Sequence, residues 1–223
     1  AKMRIFNKDG TEGRVGGNAI RCVGKYLYEK GIVPRREMKI ETANGINEVT
    51  VYSFNGKVNS ASVNLGKAEL AGENIPCIWK EDKIVNKPAT IGGKEYKVTL
   101  VNLGNPHCVV FSEKVDAVDV ETVGPLFENC EYFPERINAE FIRVVNRVTI
   151  KMRVWERGNG ETWSCGTGAA AAVVAAVLNG YCDRDTNITV KLRGGDLVVN
   201  YHSDGEVELM GSVKTVYEGR LEI

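Results

Sequence analysis

The pattern of apolar and polar positions predicts short strands that alternate with two helices. Residues 3–6 and 148–155 are rich in β-forming side chains that alternate in polarity, which predicts a strand in each place. A polar loop with several glycines follows each strand. After the first loop, Ile20, Val23 and Leu27 recur at spacings of three and four, which predicts a helix.

Polar residues and glycines mark the ends of both predicted helices. Asn18 and Thr167 are candidate N-caps, because a side-chain oxygen there can accept from an unpaired backbone N–H. Gly31 and Gly180 are typical of the residue after a helix, because glycine tolerates the left-handed conformation. Each helix is therefore predicted to span about a dozen residues.

Strands and turns fill most of the remaining chain. Each predicted helix is followed by a hairpin, with its turn at residues 44–45 or 194–195. The hairpin strands are predicted at residues 38–42, 48–54, 187–192 and 196–201. Between the two copies we predict further strands at 62–65, 97–101 and 108–111, and a short helix near 116–123.

The two copies are related by a constant offset along the chain. Met3-Arg4-Ile5-Phe6 recurs 149 residues later as Met152-Arg153-Val154-Trp155. The same offset relates the pairs Glu12 and Glu161, Gly17 and Gly166, and Gly31 and Gly180. A constant offset over about thirty residues, with the elements in the same order, indicates an internal duplication.

The duplication predicts two domains. Residues 1–61 with 211–223 form the N-terminal half, and residues 62–210 form the C-terminal half. About ninety residues precede Met152 within its half, whereas two precede Met3. We therefore expect the first half to be incomplete at its N-terminus, with Ala1 a tag or cloning remnant.

Composition excludes several classes of partner. The chain has 29 Lys plus Arg and 29 Asp plus Glu, so it lacks the basic surplus expected of a nucleic-acid or polybasic membrane surface. The longest apolar run, residues 169–178, is about half of the ~20 residues that a spanning helix needs. Two histidines and six cysteines without a C-x-x-C pair predict neither a metal site nor a disulfide scaffold. We expect a soluble, cytoplasmic protein of mixed α and β structure.

Cys165 is the strongest candidate for chemistry. It lies in Ser-Cys-Gly-Thr-Gly-Ala, just before a predicted helix, where the helix dipole would lower the thiol pKa below ~8.5. Gly166 and Gly168 would let a ligand carboxylate approach the unpaired backbone donors. The loop thus predicts an anion site beside a proton-accepting sulfur. A structural cysteine beside a tight turn is the alternative.

The equivalent loop of the first copy, residues 14–19, matters for mechanism. Two facing thiols would suit inversion of a Cα centre, because one removes the proton and the other returns it on the opposite face. The position that matches Cys165 is Gly16, however. Glycine has no side chain and carries no proton.

Three motifs together resemble the diaminopimelate epimerase family, and the resemblance runs from Met3 to the C-terminus. They are Asn-Lys-Asp-Gly-Thr-Glu…Gly-Gly-Asn-Ala-Ile-Arg-Cys at 7–22, Gly-Asn-Pro-His-Cys at 104–108, and Trp-Glu-Arg-Gly-Asn-Gly-Glu-Thr…Ser-Cys-Gly-Thr-Gly at 155–168. The resemblance implies an α+β fold of two pseudo-symmetric halves, each a mixed β-barrel-like sheet around a central helix, with the first half incomplete. It also implies interconversion of LL- and meso-2,6-diaminopimelate for lysine and peptidoglycan synthesis. That reaction uses neither pyridoxal phosphate nor a metal, and members of the family often form homodimers.

The resemblance also assigns site residues. Cys165 matches one of the family's two catalytic thiols, and Gly16 stands at the position of the other. The residues matched to binding of the reacting carboxylate are Gly17, Asn18, Gly166 and Thr167. Those matched to the non-reacting amino-acid end are Asn7, Asn105, Asn138, Glu156 and Arg157. An arginine can bind a carboxylate through two N–H groups, and a glutamate can accept from an ammonium.

Two departures from the family pattern bear on activity. One is Gly16, and the other is the absence of the family's first segment with its Gly-x-Gly-Asn-Asp-Phe motif. We therefore expect this form to be inactive or impaired. One alternative is a proline racemase-like or hydroxyproline dehydratase-like enzyme, although Glu156 and Arg157 suit a substrate with a second amino-acid end. The other alternative is a degenerate homologue that is not catalytic.

Overall fold

A computed structural model describes residues 1–6, 10, 12–13 and 16–220. The helices are α1 (Gly17–Glu29), α2 (Val120–Glu128) and α3 (Gly166–Leu178). The strands of the first copy are β1 (Ile5–Phe6), β2 (Glu12–Gly13), β3 (Glu37–Thr42), β4 (Gly45–Phe54) and β5 (Lys57–Lys67). The intervening strands are β6 (Lys87–Ile91), β7 (Lys94–Asn102), β8 (Pro106–Phe111) and β9 (Asn138–Asn146). The strands of the second copy are β10 (Thr149–Glu156), β11 (Gly160–Thr162), β12 (Asn187–Leu192), β13 (Gly195–Tyr201) and β14 (Glu206–Ser212).

Twelve strands form one sheet in the order β3-β4-β5-β14-β13-β12-β10-β9-β8-β7-β6, with β11 added to β10. The pairs β10–β12 and β8–β9 are parallel, and the other pairs are antiparallel. The predicted α+β class is confirmed. The description of each half as barrel-like needs correction, because within the described residues the sheet is open, with β3 and β6 at its ends. The halves do not close separately, since β5 and β14 pair with each other and each runs from one half into the other.

The register of the strands reproduces the duplication. Lys2 and Glu41 form a parallel bridge in the first copy. Lys151 and Lys191, at the matching positions of the second copy, are partners in the parallel pair β10–β12. The strand–helix–hairpin unit is therefore repeated in its pairing as well as in its sequence.

The two central helices differ in their burial. Every residue of α3 from Gly166 to Ala176 is buried, because small side chains let the sheet approach it from all sides. Helix α1 is amphipathic and leaves Cys22 and Tyr26 exposed on its outer face. Its inner face packs on β4 and β5. The predicted central helix is therefore correct for α3, which is buried on all sides. For α1 it is correct only for the face that packs on the sheet.

The helix ends agree with prediction at the C-terminus and differ at the N-terminus. Gly31 and Gly180 follow α1 and α3 with positive φ, as expected. The N-caps are Gly16 and Cys165 rather than Asn18 and Thr167. Both helices start earlier than predicted, so the glycines that follow each cap provide first-turn N–H donors.

The short helix of the middle region, in contrast, starts later than predicted. Residues 115–117 form a 3-10 turn, and α2 then runs from Val120 to Glu128. Asp119 caps α2, because its side chain accepts from the Thr122 backbone N–H at 3.2 Å. The last turn of α2 extends beyond the predicted segment. Glu128 at its end accepts a hydrogen bond from the turn after β10.

The proposed domain boundaries fall inside paired strands. Ala61 and Ser62 of β5 pair with Gly211 and Met210 of β14. The two halves therefore share a continuous sheet at the boundary, and the division into domains stays a prediction. No helix within the described residues is long and apolar enough to cross a membrane.

Gly24 on α1 offers a test of the packing on β4. A Cβ at this position would lie 2.8 Å from Val49 Cγ1, a stiff side chain. We expect Gly24→Ala to lower the free energy of unfolding by about 1 kcal/mol, because overpacking of roughly 1–3 kcal/mol outweighs the helix-propensity gain of about 1 kcal/mol. Urea unfolding measures this difference.

The control is the same substitution in a Val49→Ala background. There the added methyl has room, so Gly24→Ala should stabilise the protein. If the effects of Gly24→Ala and Val49→Ala on the free energy of unfolding are additive within about 0.5 kcal/mol, the contact between these two positions does not limit how closely α1 packs on the sheet.

Candidate active site

The N-terminal ends of α1 and α3 meet at two glycines. A Cβ built on Gly17 would lie 3.7 Å from the Gly166 Cα, and one built on Gly166 would lie 3.5 Å from the Gly17 Cα. Either Cβ would also lie 2.9 Å from Leu209 Cδ2. Glycine at both positions therefore permits the close approach. The positive ends of two helix dipoles converge here, which favours binding of an anion.

Asn18 connects the two helix starts. Its Nδ2 donates to the Ser164 backbone oxygen and is 3.3 Å from the Ser164 hydroxyl oxygen. Its Oδ1 accepts from a terminal nitrogen of Arg21 at 3.1 Å. The Asn18 side chain is thus fixed from both sides of the junction.

Arg21 is a part of the site that the sequence did not reveal. It is 3% exposed, and it also donates to the Gly17 carbonyl at 3.0 Å. Burial lowers the pKa of its guanidinium from the usual value. A signal was present in the sequence, because Arg21 follows Ile20 of the apolar stripe and lies one turn after Gly17.

Cys165 lies at the start of α3, as its position just before the predicted helix indicates. As the N-cap, it accepts the Gly168 backbone N–H at its Sγ at 3.3 Å. Its Sγ is 3.7 Å from the Thr167 hydroxyl oxygen, and the residue is 7% exposed. The thiol is therefore held beside the first-turn N–H groups of α3, next to the junction of the helices.

The expected lowering of the Cys165 pKa is wrong for this structure. Burial raises the pKa of the thiol well above its usual value, and the carboxylates of Glu156 and Glu140 raise it further. The hydrogen bonds from Gly168 and Thr167 act in the opposite direction but are weaker. The sequence showed the helix start but neither the burial nor the two carboxylates. Burial and the two carboxylates therefore favour the neutral thiol over the thiolate.

Gly16 occupies the equivalent place on α1 and has no group to transfer a proton. It is the N-cap of α1, without a side-chain hydrogen bond. A Cβ on Gly16 would lie 2.6 Å from Ile5 Cδ1. The end of the Ile5 side chain therefore fills the space that a side chain at this position would need.

Three of the predicted binding residues meet at the turn after β10. The Glu156 carboxylate accepts from the Thr162 hydroxyl. The Arg157 backbone N–H donates to Asn138 Oδ1 at 2.9 Å, and its guanidinium donates to the Glu135 carbonyl at 3.0 Å. Asn138 Nδ2 donates to the Pro106 backbone carbonyl at 2.8 Å. Asn138 thus fixes the backbone that carries Glu156 and Arg157.

Asn105 belongs to a second buried group. Its Oδ1 is 3.0 Å from His107 Nε2, and His107 Nδ1 is 2.7 Å from Glu140 Oε1. His107 and Glu140 are both 0% exposed, and burial raises the pKa of Glu140 although His107 lowers it. A Cβ on Gly168 would lie 2.8 Å from Glu140 Oε1, so this group borders the start of α3.

Sequence reasoning missed Glu140, although one signal existed. It is an acidic residue inside β9, a strand whose first five residues are all buried. A carboxylate in such a run needs a partner, and His107 on the parallel neighbour β8 provides it. The predicted site residue Asn7 lies outside the described residues.

No metal centre is apparent in the part of the chain that the structure describes. There, no group of three or more His, Cys, Asp or Glu side chains is arranged to hold an ion. The acidic residues near Cys165 are paired with His107 or with the Thr162 hydroxyl.

Comparison of folds finds solved structures with the same architecture. A probable proline racemase from Agrobacterium radiobacter matches with a TM-score of 0.71 and 15% identity, covering 95% of this chain and 68% of that one. A hydroxyproline epimerase from Agrobacterium vitis matches with a TM-score of 0.70 and 13% identity, covering 95% of this chain and 67% of that one. At such identity the likeness shows the fold alone.

Comparison of sequences goes further. The family model described as diaminopimelate epimerase matches residues 1–71 and 99–216. A diaminopimelate epimerase from Bacillus licheniformis is 46% identical over 223 residues, covering 100% of this chain and 78% of the relative. One from Acetivibrio thermocellus is 45% identical, covering 100% of this chain and 79% of the relative. The chain therefore belongs to the diaminopimelate epimerase family of amino-acid epimerases.

Proposed function

We propose that this chain binds 2,6-diaminopimelate at the junction of α1 and α3, and that Cys165 transfers the α-proton on one face of the substrate. The convergence of the two helix starts beside the Cys165 sulfur is the observation that carries the proposal. Family membership identifies the substrate class. Gly16 on the opposite side limits the reaction to one face.

The proposed binding mode uses both ends of the substrate. The reacting carboxylate accepts from the first-turn N–H groups of the two helices, which belong to Gly17, Asn18, Gly166 and Thr167. The distal amino-acid end is bound by Asn7, Asn105, Asn138, Glu156 and Arg157. The neighbouring acidic and basic side chains of Glu156 and Arg157 suit a second, zwitterionic amino-acid end, which proline and hydroxyproline lack.

The proposed proton transfer follows from the single thiol. The Cys165 thiol first releases its proton to solvent. The resulting thiolate takes the α-proton, the Cα–H bond breaks, and its electron pair moves into the carboxylate. The helix N–H groups stabilise the charge that develops on that carboxylate. The Cys165 thiol then returns a proton to the same face, which restores the original configuration. Inversion needs a proton donor on the opposite face, and Gly16 provides none.

The proposal also covers the cofactor requirement, the cellular compartment and the assembly of this chain. The reaction runs without pyridoxal phosphate or a metal, because helix ends and backbone donors stabilise the carbanion. All six cysteines are free, which is typical of a reducing compartment, so we place the chain in the cytoplasm, in lysine and peptidoglycan precursor synthesis. A homodimer, the expected assembly, would be detected by light scattering.

Isotope exchange tests the one-face reaction. In D2O we expect deuterium to enter the α-position of one configuration of diaminopimelate, with little inversion, because only Cys165 transfers protons. Mass spectrometry measures the incorporation, and chiral chromatography measures the inversion. Cys165→Ala, the control, should abolish exchange. Rapid inversion in both directions would contradict the proposal.

Restoring a thiol tests the role of Gly16. We expect Gly16→Cys to gain inversion, and Gly16→Cys with Ile5→Ala to gain more, because the smaller residue clears the contact with Ile5 Cδ1 at 2.6 Å. General acid catalysis predicts a rise of roughly 10²–10⁴-fold. Chiral chromatography of the products gives the inversion rate.

The matched control is Gly16→Ala with Ile5→Ala, which alters the packing in the same way but adds no thiol. It should show exchange and no inversion. If the thiol-bearing double variant exchanges protons but fails to invert the substrate, Gly16 is not what limits this chain.

Alkylation tests the state of Cys165. At pH 7 iodoacetamide should modify exposed Cys22 well before Cys165, because burial and two carboxylates raise the Cys165 pKa and keep it a thiol. The Cys165 rate should keep rising with pH through the alkaline range. Glu156→Gln should accelerate it, because removing that charge lowers the pKa. Peptide mass spectrometry gives the rate at each site.

Glu131→Gln serves as the control for a loss of negative charge, since this exposed residue is not among the groups that shift the Cys165 pKa. It should leave the Cys165 rate unchanged. Fast modification of Cys165 at neutral pH would show that its pKa is not raised.

A further inference from the structure

One face of α2 supports the turn that follows β10. Gly124 lies under the ring of Trp155, and a Cβ at position 124 would collide with that ring. Glu128 lies one helical turn later on the same face, and its Oε2 accepts the Trp155 indole N–H at 2.7 Å. Trp155 is therefore held by close packing at one point of α2 and by a hydrogen bond at the next.

Glu128 also reaches the turn itself. Its Oε1 accepts the Gly158 backbone N–H at 2.9 Å and pairs with the Arg136 guanidinium at 3.2 Å. Gly158 has a φ of +79°, a conformation that favours glycine. The carboxylate thus binds the indole before the turn and the backbone within it.

The position of this carboxylate is unfavourable by itself. The Glu128 side chain is 8% exposed, and it is the last residue of α2, where the negative end of the helix dipole disfavours a carboxylate. The donors of Trp155, Gly158 and Arg136 compensate for the loss of water. A buried charge in such a place needs its partners in fixed positions, and one of these partners is the backbone of the turn.

The turn carries the residues assigned to the distal end of the substrate. The Arg157 N–H donates to Asn138 Oδ1, and the next N–H, that of Gly158, donates to Glu128. Two consecutive backbone groups are thus fixed by side chains from two different elements, β9 and α2. Glu156 and Arg157 project from this fixed segment.

We propose that Glu128 is a positioning residue, which sets the affinity for the distal amino-acid end by holding the turn of Glu156, Arg157 and Gly158 against α2. Glu128 touches neither the substrate nor the reacting sulfur, and it acts through the turn. This inference rests on the proposed function, because the ligand is the same diaminopimelate.

Calorimetric titration with meso-diaminopimelate tests the inference on the full chain. Glu128→Gln keeps the shape but replaces one acceptor oxygen with an amide nitrogen, which cannot accept a backbone N–H. We expect its Kd to rise roughly tenfold to hundredfold, as small displacements of a binding group do. The Gly158 amide resonance in the ¹H–¹⁵N spectrum should shift in the same variant.

Arg136→Gln is the matched control, because it removes the exposed ion-pair partner and leaves the bonds to Trp155 and Gly158. Its Kd should stay within about twofold of the parent's, because the hydrogen bonds that hold the turn remain. In an Arg157→Ala background, Glu128→Gln should have a smaller effect on Kd, since the two residues act together and only Glu156 is left to be positioned. A purely structural role would weaken binding equally in both backgrounds.

The outcomes separate this inference from the function on which it rests. A parent chain that fails to bind diaminopimelate contradicts the proposed function. A parent that binds, with an unchanged Kd in Glu128→Gln, overturns the positioning role alone. If Glu128→Gln does not fold, Glu128→Asp repeats the test, because it keeps the charge but is one methylene too short to reach both donors.

Discussion

The contact between the two helix starts is the constraint on which the site depends. Gly17 and Gly166 bring two positive dipole ends together, an arrangement that repels until an anion lies between them. Pairing of β5 with β14 holds the halves in this position, and Leu209 of β14 packs against both glycines. The duplicated fold thus brings together two helix ends, one from each copy, at the proposed carboxylate site.

Cys165 stands at this contact in its unreactive form. Burial and the carboxylates of Glu156 and Glu140 disfavour the thiolate, while the Gly168 N–H and the Thr167 hydroxyl favour it. A substrate ammonium beside Glu156 would offset one of the opposing charges, so arrival of the substrate can shift the balance towards the thiolate. In the proposed complex the thiolate would then form beside the α-proton.

Buried charged side chains hold the groups of the candidate site in place. Arg21 on α1 holds Asn18, Glu140 on β9 holds His107, and Glu128 on α2 holds the turn after β10. Each is buried, and each makes hydrogen bonds to fixed groups. Buried charges of this kind tolerate little displacement of their partners, which makes the site rigid before the substrate binds.

The sequence by itself determined the duplication, the two hairpins, the glycine ends of the helices and the positions of Cys165 and Gly16, because these follow from local periodicity and spacing. Only the tertiary structure decided that the halves share one open sheet, that Ile5 fills the space beside Gly16, and that the Cys165 pKa rises. These depend on contacts between residues far apart in the chain. Burial and the approach of distant carboxylates carry no local pattern, so they become visible only when the chain is folded.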